Sequence, residues 1–552
     1  MKKVFSYLGG YKKEAVLAPL FKLLEACFEL AVPLVVAAIV DRGIGQGDRE
    51  YILGMFFVLI ALGAVGLAAA VTAQYFAAKA AVGHSTLLRR SLFEKMQSLS
   101  FAEVDQLGAA TMIARMTVDV NQVQTGVNMA LRLFLRSPFI VFGAMIMAFT
   151  VDVQAGIVFA VVIPVLSLVV ALIMGVTIPM YKKTQAKQDG LLLSVRENLT
   201  GVRVLRAFCK EKEEIAAFDK KNAALKKSQN AVGAISALMN PLTYAIINAG
   251  IIALLYVGAI RVDGGALTQG EVLALYNYMS QILVELIKLA NLIITVTKSL
   301  ACARRIERVF ELNNPLERSD DTAVHTDNAD DFENVALSYN GGGNALEGIT
   351  FSVKRGETVG VIGGTGSGKS SLVNLIARFY DATEGRVLVD GVDVRAQDTA
   401  ALREKVGMVL QKAVLFKGTI RENLRWGNEN ATDAELMRAV ETAQAADVVA
   451  AKGGLDGEIE QGGRNLSGGQ KQRLSIARAL VKKPEILVLD DSASALDYAT
   501  DAALRHAIAA LPEKPTTFIV SQRTSSLQHA DKIVVLEEGK AVGIGTHEEL
   551  LE

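Results

Sequence analysis

The residues best suited to chemistry lie in the second half of the chain, in the run Gly363, Gly364, Thr365, Gly366, Ser367, Gly368, Lys369, Ser370 and Ser371. Glycines at this density let successive backbone N–H groups turn toward one point, where they receive the oxygens of a phosphate chain. Lys369 is placed to reach the β- and γ-phosphates, and the Ser370 hydroxyl to ligate Mg²⁺. The flanks fit this chemistry. Residues 357–362 (ETVGVI) read as a short strand and a helical pattern begins at Leu372, so the loop joins a strand to a helix N-terminus. Further on, Ile486-Leu487-Val488-Leu489-Asp490 is a continuous apolar run ending in a carboxylate. That pattern suits a parallel strand covered on both faces, with Asp490 at its carboxyl end where a phosphate-loop enzyme holds magnesium.

Between these landmarks stands Leu466-Ser467-Gly468-Gly469-Gln470, followed by a helical stretch from Lys471 to Leu480. This run resembles the signature sequence of the ATP-binding-cassette family. Other marks of that family follow in order: Tyr339, Gln411 within Val409-Leu410-Gln411, and Ser494-Ala495-Leu496-Asp497. The resemblance implies that Tyr339 stacks on adenine and that Gln411 touches Mg²⁺, joining Ser370 and Asp490 as the metal-binding set. It implies that Asp497 lies on a loop crossing between two such domains. It further implies ATP and Mg²⁺ as cofactors and a head-to-tail pair of domains. Each ATP would then lie between the phosphate loop of one domain and Ser467, Gly468, Gly469 and Gln470 of the other.

Three positions depart from the family pattern. The catalytic glutamate expected after Asp490 is Asp491, the histidine expected beyond the strand 516–521 is Gln522, and the glutamate expected before the signature is Gln461. Asp491 and Gln522 therefore occupy the catalytic positions with altered chemistry. An aspartate retracts its carboxylate by more than about an ångström, and misplacement on that scale costs ~10²-fold in rate. A glutamine donates a hydrogen bond but carries no charge and relays no proton. The expectation is a site that binds ATP and hydrolyses it poorly, beside an intact signature that serves the partner. The partner expected is a second half-transporter, a different chain with the complete glutamate and histidine; a slow homodimer and an ATP-gated sensor are the alternatives.

The first half of the chain must supply what this engine drives. Hydrophobic residues make up 51% of the 552, far more than a phosphate-loop domain needs, and they concentrate in this half. Six stretches reach the ~20 residues needed to cross a bilayer: about 15–40, 51–78, 133–151, 155–178, 242–260 and 272–296. More than fifty residues separate the second stretch from the third and the fourth from the fifth. Leu88, Leu92, Met96 and Leu99, and then Val195, Leu199, Val202 and Leu205, give these connections a helical stripe. The spans are thus expected to continue as helices beyond the bilayer and turn back, since structureless loops of that length are rare. By the family resemblance the turns are coupling helices, placed within 110–119 and 208–218. Lysine and arginine crowd both long connections, which puts them, the N-terminus and the ATP-binding domain in the cytoplasm.

The fold expected is an α-helical membrane domain with long cytoplasmic extensions at 1–310, a polar linker at 311–331, and an α/β phosphate-loop domain at 332–552. The implied function is ATP-driven export by alternating access, from the plasma or inner membrane of a bacterium, with an unassigned substrate. Lys+Arg and Asp+Glu balance at 58 each, which gives no sign of nucleic-acid binding. Cys27, Cys209 and Cys302 lie too far apart in sequence to suggest a disulfide framework or a zinc site. Within the spans, Lys22, Glu25 and Glu29 share one helical face, as do Glu285 and Lys288. Charges at such depth either line a pathway or pair with one another.

Overall fold

The computed structural model describes residues 2–312, 328–339 and 342–552. Most of the stretch read as a linker, 313–327, lies outside them. The chain forms two compact units: residues 1–96 with 110–311, and residues 97–109 with 312–552.

The first unit is helical. Its helices include α1 (Lys12–Ala38) and α2 (Arg49–Gln97). In six places the helical chain is long and apolar enough to cross a membrane: Lys3–Ile44, Arg49–Gln97, Ala109–Val151, Val153–Thr200, Glu211–Asp263 and Gln269–Glu311. Each apolar stretch expected from sequence falls within one of these, and the long connections are extensions of the same helices. Leu88 and Leu92 of the first stripe are fully buried, whereas Met96 and Leu99 are only partly so. Leu199 in the second stripe is exposed.

The turns of the two connections differ from expectation. The first is α3 (Phe101–Leu107), rather than 110–119, which already forms the returning helix. Ser100 and Glu103 close a capping box over the first turn of α3, and Gly108 ends it at φ 72°. This S-x-x-E spacing was the sequence signal for the turn. Within the second unit, Phe101 stacks on Phe379 at 4.2 Å between ring centroids, and Tyr380 Oη donates to Asp105 Oδ2 at 2.6 Å. The second connection turns through Val202–Ala207 and the residues before Glu211, so 211–218 belongs to the outgoing helix rather than to the turn.

The helices that return and complete the first unit include α4 (Arg136–Val151) and α5 (Gln269–Glu311). Small residues on α2, among them Ala69, Ala73, Ala77, Ala80 and Ala81, are buried, letting neighbours approach closely.

The second unit holds two main sheets. Strands β1 (Asn328–Ser338), β2 (Asn344–Lys354), β4 (Glu384–Val389) and β5 (Val392–Asp393) form an antiparallel sheet in the order β2-β1-β4-β5. The other sheet contains β3 (Thr358–Gly363), β6 (Val406–Val409), β7 (Ile486–Asp490), β8 (Thr516–Val520), β9 (Lys532–Glu537) and β10 (Lys540–Gly545). Its order is β10-β9-β3-β8-β7-β6, parallel except for the β9–β10 pair. β7 and β8 are buried at every position, as in a sheet covered on both faces; the apolar run Ile486–Leu489 reads this way in sequence, while β8 also buries Thr516 and Thr517.

Candidate functional site

Ligands of parallel α/β sheets bind beyond the carboxyl ends of the strands. In this sheet β3 ends in Gly363, β7 in Asp490, and β8 just before Ser521-Gln522. Their parallel registers pair Val520 with both Val361 and Asp490, so these ends are neighbours. The topology therefore gathers residues far apart in sequence at one rim.

Two positions of the loop after β3 leave no room for a side chain. A Cβ on Gly363 would stand 2.2 Å from the Leu536 carbonyl oxygen. Gly368 has φ 97°, and a Cβ there would also meet the Ala345 carbonyl oxygen at 2.5 Å. The helix that follows runs Lys369–Ile376 and begins at once, earlier than the Leu372 expected from the apolar pattern. Lys369 Nζ folds over the loop and donates to the carbonyls of Gly363 (2.9 Å) and Gly364 (2.6 Å). Burial lowers its pKa, while Asp491 and Asp490 act in the opposite direction.

Ser370 Oγ donates to Asp490 Oδ1 at 2.9 Å, which brings together the two ends expected to hold a metal. Asp490 is 4% exposed; its pKa is raised, first by burial and then by the neighbouring Asp491, against the hydrogen bond from Ser370. A buried carboxylate whose charge is costly within the chain suits a divalent cation. Among the described residues, no group of three or more His, Cys, Asp or Glu gathers to hold a metal. Mg²⁺ needs none, being bound through one or two carboxylates plus substrate phosphates. Gln411 Nε2 lies 3.3 Å from Asp491 Oδ2.

Asp491 leaves β7 in the left-handed region, at φ 44°, a conformation that Asp tolerates better than most side chains. Its N–H donates to the Val520 carbonyl, and its own carbonyl accepts from Ser494 Oγ at 2.8 Å. Gln522 is exposed just past β8. Tyr339, half-exposed, donates through Oη to Ser371 Oγ at 2.9 Å and meets Tyr380 edge to face at 5.0 Å. Thr365, Gly366 and Ser367 complete the loop. Ser367 lies 3.5 Å from Lys369 Nζ.

The signature residues lie at the start of a separate helix, Gly468–Val481. Ser467 is its N-cap: Ser467 Oγ accepts from Gln470 N, and Ser467 N donates to Gln470 Oε1 at 2.9 Å. Ala495 N donates to Gln472 Oε1 at 3.1 Å, tying this helix to the loop that carries Asp497. Arg523 donates to the carbonyls of Ser494 and Leu496 and lies over the Tyr498 ring, so the segment after β8 braces the same loop. Asp497 caps the next helix through Thr500, which lowers its pKa.

A second cluster lies in the helical unit, and its centre, Arg136, was not singled out from sequence. Arg136 is 5% exposed. It donates to Glu285 Oε1 (2.6 Å) and to both carboxylate oxygens of Glu29 (2.9 and 2.6 Å), and lies 3.8 Å from Glu25. Lys22 pairs with Glu25 at 2.5 Å, Lys288 pairs with Glu285 at 2.8 Å, and Ser137 Oγ donates to Glu285 Oε2. The expected same-helix pairs are present, but the arginine on α4 joins α1 to α5.

Comparison with known proteins agrees with this architecture. Residues 16–286 match the ABC transporter transmembrane region, and residues 346–494 match the ABC transporter family of ATP-binding domains. An uncharacterized ABC transporter ATP-binding protein of Mycobacterium tuberculosis is 35% identical over 552 residues, covering 99% of this chain and 95% of that protein. The Bacillus subtilis ABC transporter ATP-binding protein YfiB is 34% identical, covering 100% of this chain and 96% of its own. An ATP-dependent lipid A-core flippase of Syntrophus aciditrophicus is 31% identical, covering 84% of this chain and 78% of its own. In fold, the chain is similar to the ATP-bound structure of a bacterial Atm1-family ABC exporter, with a TM-score of 0.80 at 24% identity, covering 98% of this chain and 96% of that one. With both regions in one polypeptide and relatives matching along its whole length, the chain belongs to the ABC transporter family, as a membrane-spanning half-transporter of exporter architecture.

Proposed function

We propose that this chain is the subunit with the degenerate ATP site in a heterodimeric exporter. Its own loop, 363–371, holds the phosphates of ATP, with Lys369 on the β- and γ-phosphates and Tyr339 against adenine. Ser370, Asp490 and Gln411 hold Mg²⁺, which when bound neutralises charge on the phosphates. Ser467 and the helix N-terminus behind it close over the ATP of the partner. The reading places the ATP-binding domain and N-terminus in the cytoplasm, with Phe101–Leu107 and Val202–Ala207 as coupling segments. Closure of the paired ATP-binding domains then switches the membrane cavity from one side to the other.

One observation carries this reading. The carboxylate that should hold the attacking water is Asp491, a methylene short and 3.3 Å from Gln411, while Gln522 replaces the cationic residue. Lys369, Ser370 and Asp490 keep the side-chain chemistry that binding requires. Binding without efficient turnover follows, and the intact Ser467–Gln470 has a purpose only over a competent partner site.

The test is ATP hydrolysis and ATP-driven uptake into inside-out vesicles, for the chain alone and for the complex that a tag on this chain retrieves from its native membrane. The expected result is ATP binding with slow turnover alone, and fast turnover with uptake in a complex containing a second half-transporter with the catalytic Glu and His. Retrieval of this chain alone, turning over slowly with uptake, would establish the homodimer. ATP binding without uptake in either form would establish a sensor.

A further inference from the structure

A cavity of about 590 Å³ opens between α1, α4 and α5. It is lined along one face of each helix: Glu29 and Val36 on α1, Arg136 and Ile140 on α4, Gln281 and Lys288 on α5. Its chemistry is set by how the six charges of the neighbouring cluster are distributed.

Lys22, Arg136 and Lys288 oppose Glu25, Glu29 and Glu285, so the cluster sums to zero. The inner members are closed off: the Arg136 and Glu285 side chains are 6% and 4% exposed, and each is bonded to more than one partner. The two members at the rim differ from them. The Glu29 side chain is 43% exposed, and its two oxygens share a single donor nitrogen of Arg136. The Lys288 side chain is 41% exposed and gives Glu285 one of its three protons. Gln281 adds a buried amide oxygen that has no hydrogen-bond partner. The cavity thus offers acceptors at Glu29 and Gln281, a donor at Lys288, and apolar surface from Val36, Ile140 and Val284.

We propose that this cavity binds a zwitterionic amphiphile, one molecule carrying an ammonium group, an oxyanion and an apolar body. The ammonium pairs with Glu29 and Gln281, and the oxyanion with Lys288. The physical reason is neutrality. In a low-dielectric cavity beside a closed, balanced cluster, a ligand of net charge leaves one charge uncompensated, which is costly. A ligand with both signs leaves the sum at zero, and an uncharged apolar ligand leaves the Gln281 oxygen unpaired. The inference rests on the exporter reading and names the substrate class for it. The shared chemistry has two sources, a soluble amphiphile such as a short apolar peptide or the headgroup of an aminophospholipid.

The experiment uses the complex retrieved by a tag on this chain, placed in nanodiscs of phosphatidylglycerol, which carries no ammonium group, with radiolabelled tri-leucine as the probe. Tri-leucine with free termini should bind, and acetylating its amine or amidating its carboxylate should each weaken binding by about tenfold, as loss of a charged hydrogen bond does. Glu29→Gln should abolish the penalty for acetylation while keeping that for amidation, and Lys288→Met should do the reverse. Displacement by short-chain phosphatidylethanolamine assigns the lipid source, and lack of displacement the soluble one. Equal binding of the three peptide forms to the unmodified complex, or no binding at all, would overturn the proposal even if both variants failed to fold. ATP turnover in the same nanodiscs tests the exporter reading separately: normal turnover with cap-independent binding overturns the zwitterion site alone.

Discussion

Two ends of the α/β unit match the ATP-binding-cassette pattern to different degrees. At the end of β7, the residues after Asp490 depart from the family pattern, with an aspartate at 491 and an amide at 522. At Ser467, the N-cap and its reciprocal bonds with Gln470 are intact, and Gln472 fastens the helix to the loop carrying Asp497. The difference teaches that binding and cleavage are separable demands on such a unit. Binding needs a tight loop, a lysine and a buried acid; cleavage needs a side chain of the right length.

This contrast sets a ranked series of expected effects in the heteromeric complex proposed above. If Ser467 caps the partner's competent site, as proposed, Ser467→Arg puts a bulky charge into that cap, and hydrolysis should fall ~10²–10³-fold, as it does when a preorganised donor is lost. An equal loss from Asp491→Asn would break the comparison. Lys369→Ala should weaken nucleotide affinity at this chain's own site by about tenfold, by removing a charged donor to phosphate, measurable with a fluorescent ATP analogue. Asp491→Glu combined with Gln522→His should raise turnover of the complex by at most about twofold, because one slow site becomes a second working one. Asp491→Asn alone should lower turnover by only about one percent, the share left to a site slowed ~10²-fold.

The smallest effect is a shift along the pH axis. Burial, reinforced by Asp491, raises the pKa of Asp490, so its proton competes with Mg²⁺ at a higher pH than for an ordinary aspartate. Mg²⁺-dependent ATP affinity should therefore weaken on acidification starting above the usual carboxylate range. Asp491→Asn removes the adjacent negative charge, lowers the Asp490 pKa, and moves that onset to lower pH. An unchanged onset in the variant would show that Asp491 exerts no field on the metal position.

Much of the site could be read in the sequence because phosphate binding places its demands on adjacent residues. A loop of nine residues carries its own glycines, lysine and hydroxyl, and the strands at its sides show as apolar runs. What escaped was anything decided by packing. Arg136 lies 107 residues from Glu29 and 149 from Glu285, and only the approach of α1, α4 and α5 makes it the centre of a cluster. The first turn was misplaced for another reason. Helical periodicity continues through Ala109–Val151 without marking where the chain reverses, whereas the capping box at Ser100 and Glu103 does mark it. The docking of Phe101 on Phe379 has no signature at either residue.

The balance of the cluster around Arg136 has an electrical consequence. Displacing one elementary charge through a membrane potential involves about 2.3 kcal/mol per 100 mV. Lys22, Arg136 and Lys288 carry three positive charges, and Glu25, Glu29 and Glu285 three negative ones, bound to each other across α1, α4 and α5. Helices that move together with these pairs intact carry their charges across the field in compensating pairs. In the exporter proposed above, such a movement would transfer no net charge through these six side chains, so the membrane potential would neither drive nor oppose their displacement.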